Sequence, residues 1–260
     1  MARYRLIADD RHGLEEGVLC SFDEIEGFFT GTLEDDMAER FGLDALVRRY
    51  TPGPQMAELL PGTGKATENV GRLEVLGADG TVLGEYHLAP STTRLVPEGL
   101  RCSATTWGHR PFPEEEEIWD MWRAGPPRTA GLWARYGDRG RRAWVNVAMQ
   151  RHVRTDGADR PDGSTFELDG AHVTGGAGFF CALGEAINGP GGYFGKNLVA
   201  VDDCMSGGYG TTGGFTLVWR DFDVARRSWA PRVPNDPYHD PSLGKVLDRL
   251  KQFGVTVVPR

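Results

Sequence analysis

The stretch Gly189–Gly210, GPGGYFGKNLVAVDDCMSGGYG, is the most distinctive in the chain, and the fold of the C-terminal third turns on it. Glycine and proline fill five of its first seven positions, so Gly189–Gly195 reads as a loop, one that carries two adjacent aromatics, Tyr193 and Phe194. Gly195 frees the backbone for a tight turn. Asn197 stands where a side chain can cap a helix, and Leu198, Val201 and Met205 repeat on one face of that helix. Asp202 and Asp203 project from it, and the run Cys204–Gly208 ends it. An aromatic, an amide and carboxylates are thereby expected on one exposed surface, the composition of a binding hot spot.

Working outward, FELDG (Phe166–Gly170) predicts a short strand, and Phe179, Phe180, Leu183 and Ile187 recur at helical spacing. GFTLVWRDF (Gly214–Phe222) is a nearly continuous apolar run of the kind buried in a parallel sheet. Leu243, Val246, Leu247 and Leu250 predict a last amphipathic helix closed by Gly254, and Val255–Val258 a last strand. Strand, helices, strand, helix, strand implies a small parallel sheet with right-handed crossovers.

A specific set of residues falls in order along this segment: Leu168-Asp169-Gly170, Pro190, Tyr193-Phe194-Gly195-Lys196-Asn197-Leu198, Asp203-Cys204, Leu217-Val218-Trp219 and Gly254-Val255-Thr256-Val257-Val258. Over about residues 165–260 the chain resembles the barstar family, intracellular inhibitors of barnase-type ribonucleases. The resemblance implies an α/β domain with a three-stranded parallel sheet flanked by helices. It implies a binding protein, not an enzyme, that plugs the basic active site of a ribonuclease or nuclease toxin. It places the partner-binding surface on Tyr193, Phe194, Gly195, Asn197, Val199, Asp202, Asp203 and Gly207, with Asp203 at the family's central aspartate. Three positions depart from the pattern: Val199 replaces a second aspartate, Asp202 an aromatic, and Arg249 a late acidic contact. Truncating a buried interfacial carboxylate costs about 2–5 kcal/mol. These departures therefore point to a partner other than barnase.

Upstream the chain reads as a β-rich α+β domain of unknown function over residues 1–150, joined by a polar linker at 151–164. Tyr4, Leu6 and Ile7 suggest an opening strand. Gly71–Leu88 has alternating apolar residues around Asp79-Gly80, a hairpin signal. Gly131–Met149 reads as a second hairpin around Gly137–Gly140, and Asp35–Tyr50 as a helix. PFPEEEEIWDMWRAG, residues 111–125, predicts a short helix with Pro113 and the acidic run Glu114–Glu117 at its start, solvated there. Under an alternative reading, the barstar-like module is a scaffold and the N-terminal domain carries the partner binding.

The net charge is −8, of which residues 1–163 hold −7 and residues 164–260 −1. Such a balance argues against direct nucleic-acid binding, which rewards clustered Lys and Arg, and suits a basic protein partner. Cys20, Cys102, Cys181 and Cys204 are scattered, without the close pairs of a disulfide framework or zinc site, and are expected to be small buried residues. The six histidines are never at metal-ligand spacing, and neither metal nor cofactor is expected. PGTGKATEN (Pro61–Asn69) lacks the hydroxyl that a phosphate loop places after its lysine. Asp156, Asp159 and Asp162 have the wrong spacing for an EF-hand and read as solvated linker. No apolar run suffices to span a membrane, and MARYRLIADDRHG lacks a signal peptide's basic and apolar regions, so a cytoplasmic location is expected.

Overall fold

The computed structural model describes residues 1–8, 17–33, 40–54, 56, 66–67, 70–88, 91–107, 109–152, 159–229 and 240–260. The chain divides into two compact units, Met1–Gly125 and Pro126–Arg260. The unit boundary thus lies upstream of the linker expected at 151–164.

In the first unit, strands β1 (Tyr4–Ala8), β2 (Gly17–Phe22), β4 (Tyr50–Pro52), β6 (Val70–Leu76) and β7 (Val82–His87) form an antiparallel sheet of order β4-β2-β1-β6-β7. Strands β3 (Arg40–Val47), β5 (Ala66–Thr67), β8 (Ser91–Val96) and β9 (Gly99–Trp107) form a second, of order β3-β9-β8-β5. The β6–β7 hairpin closes on Asp79-Gly80 as expected, with Gly80 in the left-handed region and the Asp79 carboxylate accepting from the Thr81 N–H at 3.0 Å. The helix expected over Asp35–Tyr50 is instead β3, while residues 34–39 lie outside the described part. Phe41, Leu43, Ala45 and Val47 are buried at a period of two, and that alternation outweighs the weaker helical pattern. The loop Pro61–Asn69 lies mostly outside the described residues.

Helix α1 (Pro113–Trp122) starts on Pro113 as the sequence predicts. Its acidic first turn is not wholly solvated: Glu115 is fully buried, accepting from Tyr86 Oη at 2.6 Å, meeting His109 Nε2 at 2.9 Å and accepting from the Phe112 N–H at 3.2 Å. Trp119 Nε1 donates to Tyr86 Oη at 2.8 Å and completes the chain of bonds. Burial alone would push the Glu115 carboxyl up. The charge and hydrogen bond of His109, with the bonds from Tyr86 and Phe112, outweigh it and hold the pKa below the ordinary value.

The second unit opens with a 3₁₀ turn, Leu132–Arg135, and helix α2 (Asp138–Arg151), where a hairpin was expected. Gly140, Ala143, Trp144, Val147 and Ala148 share one helical face, Val145 and Asn146 are buried as well, and Gly137 is the residue before the helix, not a turn between strands. Strands β10 (Thr165–Asp169), β11 (Thr216–Arg220) and β12 (Thr256–Pro259) form the expected parallel sheet, with β11 central. Trp219 of β11 is fully buried and stacks on Phe179 of α3 (Gly176–Asn188), their ring centroids 5.4 Å apart. Nearly all of α3 is buried because it is an inner layer, packed on β10 and covered by α2. Helices α4 (Leu198–Met205), α5 (Phe222–Ser228) and α6 (Leu243–Gln252) complete the unit, α5 being unanticipated.

The segment expected to be solvated linker is partly docked. The Arg160 N–H donates to the Gly210 carbonyl at 2.9 Å and the Gly163 N–H to the Gly214 carbonyl at 3.1 Å, which carries the chain directly into β10. Asp156 lies outside the described residues. All four cysteines are free and buried. Among the described residues no group of His, Cys, Asp or Glu could hold a metal ion, and no helix is long and apolar enough to cross a membrane.

Candidate binding face

Two loops build the face, and one amide ties them. Asn188, the last residue of α3, donates through Nδ2 to the Tyr193 carbonyl at 2.8 Å and to the Tyr209 carbonyl at 2.9 Å. The loop after α3 and the loop after α4 are therefore held in fixed relation. Asp159 adds a second clamp: its Oδ2 accepts from the Gly208 N–H at 2.7 Å and its Oδ1 from the Gly210 N–H at 2.8 Å. Gly210, at φ +98°, leaves no room for a Cβ, which would sit 2.4 Å from Asn188 Oδ1. Gly195, at φ +94°, is as constrained, because a Cβ there would lie 2.6–2.8 Å from Val201, including its backbone.

Asn197 caps α4, as its sequence position predicts, accepting from the Ala200 N–H at 2.8 Å. Caps of this kind contribute about 1 kcal/mol. Its side chain is thus engaged within the fold. Tyr193 and Phe194 were expected on the exposed surface; Phe194 is fully buried and Tyr193 is 5% exposed. An irregular loop can be held against the core only by burying something, and this one buries both rings. Gly207 lies half-buried in the loop that Asp159 clamps.

Along α4 the exposed positions are Val199, at 48%, and Asp203 one turn later on the same side. Asp202, rotated about 100° from its neighbour, turns instead toward α6, where its Oδ2 meets Arg249 Nη1 at 2.7 Å. Partial burial pushes the Asp202 carboxyl up; Arg249 counteracts this and Asp203 adds to it, leaving the net shift upward. The two adjacent carboxylates have therefore separated: one is neutralised within the fold and one faces solvent. Residues 164–234, β10 through α5, match the family described as Barstar (barnase inhibitor).

The second unit carries a barstar domain.

The region before it matches no family, and neither curated proteins nor solved structures yield a match to the chain. Two residues that shape the face lie outside the barstar match: Asp159 precedes it, and Arg249 follows it. Sequence reasoning missed Asp159, Asn188 and Tyr209. An amide closing an apolar helix was the one available signal, at Asn188; the composition around Asp159 is indistinguishable from linker.

Proposed function

We propose that the barstar domain binds a basic ribonuclease or nuclease toxin through α4 and its flanking loops and blocks that enzyme's active site. The observation that carries this reading is the exposed Asp203 carboxylate on a helix capped by Asn197 and fixed between two tied loops. A carboxylate carried on a fixed backbone loses less freedom on meeting an Arg or Lys than one on a mobile segment. Asp202 is instead engaged by Arg249 within the fold. The chain acts as a binding protein, with a protein partner and neither cofactor nor catalytic step. The departures at Val199 and Arg249 direct it to an enzyme other than barnase.

Calorimetric titration of the full chain against a panel of purified basic microbial ribonucleases tests this. The expected result is binding of at least one member, with inhibition of RNA cleavage, and a loss for Asp203→Ala of at least about 30-fold. A smaller loss is expected for Asp202→Ala. Binding indifferent to Asp203, or absent throughout a broad panel, refutes the assignment.

A further inference from the structure

The loop Gly189–Gly195, which leads into the Asn197 cap of α4, is fastened to α3 at a second point besides the Asn188 amide. Gly184 and Gly192 bring the two backbones into contact: a Cβ on Gly184 would lie 2.3 Å from the Gly192 carbonyl oxygen, and one on Gly192 2.5 Å from that of Gly184. The next side chain of α3, Glu185, reaches the loop there, and its Oε1 accepts from the Gly191 N–H at 3.0 Å. Its Oε2 accepts from the Gly131 N–H at 2.7 Å and from the Trp133 indole Nε1–H at 3.0 Å. One carboxylate therefore holds three N–H groups, two from the 3₁₀ turn ahead of α2 and one from the loop. The Arg141 guanidinium lies over the buried Trp133 ring, 5.3 Å from its centroid, and donates to the His172 carbonyl and to Thr174 Oγ1, each at 3.1 Å. The stretch from Gly131 to Arg141 thus grips α3 at both ends, through Arg141 just before its first turn and through Glu185 in its last.

We infer that Glu185 is a positioning residue, through which the segment Gly131–Trp133 sets the loop that feeds α4. Gly131 and Trp133 lie ahead of the barstar match, whereas Glu185 and Gly191 lie within it. The segment is then a working part of the binding face as well as a cover for α3; for binding, this rests on the reading above. A carboxylate is acceptor-only, and its two oxygens have room for all three donors. An amide of the same size has one acceptor oxygen and an NH₂ group, so it can keep the two donors of the 3₁₀ turn or Gly191, but not all three. Donors that share one charge are also coupled, because removing one leaves more of that charge for the others. Burial pushes the Glu185 carboxyl up, the three N–H groups pull it back and Asp169 adds to the rise, leaving the net shift upward. A neutral amide escapes that burial cost, and Glu185→Gln is expected to keep the fold.

Amide NMR spectra of the full chain test this, with the β11 amides reporting on the unit as a whole. In Glu185→Gln the remaining acceptor oxygen is expected to stay with the two donors of the 3₁₀ turn. Hydrogen exchange at Gly191 should then accelerate by about tenfold or more, with the β11 amides unchanged. Trp133→Phe removes the indole donor and keeps an aromatic ring. It should move the Gly191 amide resonance in the wild-type background and leave it in place in the Glu185→Gln background. In the nuclease titrations Glu185→Gln should weaken binding by about tenfold. Unaltered Gly191 exchange in Glu185→Gln, or a Gly191 shift on Trp133→Phe that is equal in both backgrounds, overturns the role, since packing alone would then set the loop. If Gln speeds Gly191 and the β11 amides equally, the unit itself has opened, and Trp133→Phe alone decides: a Gly191 resonance that stays in place overturns the role. Full-strength nuclease binding by a Glu185→Gln chain with Gly191 released overturns the positioning and leaves inhibition intact. The coupled Gly191 response without any nuclease hit keeps the joint and removes the binding reading.

Discussion

Replacing Asp159 by alanine removes both acceptors of the Gly208 and Gly210 N–H groups. Hydrogen bonds to a charged group contribute about 1.5–3 kcal/mol each. These two share one carboxylate, and Asp159 is only part-buried, so water recovers some of the loss. The expected destabilisation of the second unit is therefore about 2–3 kcal/mol, against about 0.5 kcal/mol for an ordinary surface substitution. Since the chain has two units, a single unfolding curve would mix them. Native-state hydrogen exchange of the β11 amides isolates the second unit, because β11 is the central strand of its sheet. Exchange there should accelerate roughly 100-fold, and the Gly208 and Gly210 amides should lose local protection. Asp159→Asn, which keeps one acceptor, should fall about midway. If the alanine variant leaves both the β11 amides and Gly210 unchanged, the carboxylate is an ornament on a loop that other contacts hold, and the reasoning from its two bonds fails.

Glu115→Ala in the first unit breaks a buried, hydrogen-bonded pair with His109 and should cost about 3–5 kcal/mol, measured by exchange of the β6 and β7 amides. The pH dependence follows from the lowered Glu115 pKa: its stabilisation is whole above the ordinary carboxylate range and is lost as the pH falls through the lowered value, so wild type and variant should converge in acid. Gly195→Ala forces a left-handed residue against the Val201 backbone and should destabilise the second unit by more than about 2 kcal/mol, with loss of protection at the Ala200 amide. Asp221, at φ 51°, is a non-glycine residue in the left-handed region between β11 and α5. Asp221→Gly should leave thermal stability equal or raised by up to about 1 kcal/mol, and Asp221→Val should lower it by about 1–2 kcal/mol; matched melting temperatures for the two variants would contradict this.

The parallel sheet was legible because Phe166, Leu168, Leu217, Trp219 and the terminal valines form short apolar runs separated by helical periodicity. The β3 strand and α2 helix were not, since both stretches mix apolar residues with Gly and Arg in patterns that fit either period; only the surrounding packing selects one. At the site, the Asn197 cap was read from local chemistry, whereas Asp203 was singled out from its neighbour Asp202 only by its position in the family resemblance. The fate of Asp202 was hidden, because Arg249 is 47 residues away and the meeting depends on how α6 packs. Phe194 illustrates the opposite error. Aromatics in a glycine-rich loop look available for contact, yet the loop is shaped by what they bury.

The covering of α3 by α2 has a bearing on how this module could be moved or inherited. A helix apolar on one stripe can be cut from its neighbours and still face water on the other side; α3 has almost no such side, since nearly every residue from Gly176 to Gly184 is buried. A gene fusion or expression fragment beginning at Thr165 would leave one flank of α3 bare and would also discard Asp159, and an uncovered apolar strip of that kind promotes self-association. The transferable piece begins near Pro126, so the seam along which recombination could graft this domain lies well ahead of its recognisable sequence signature.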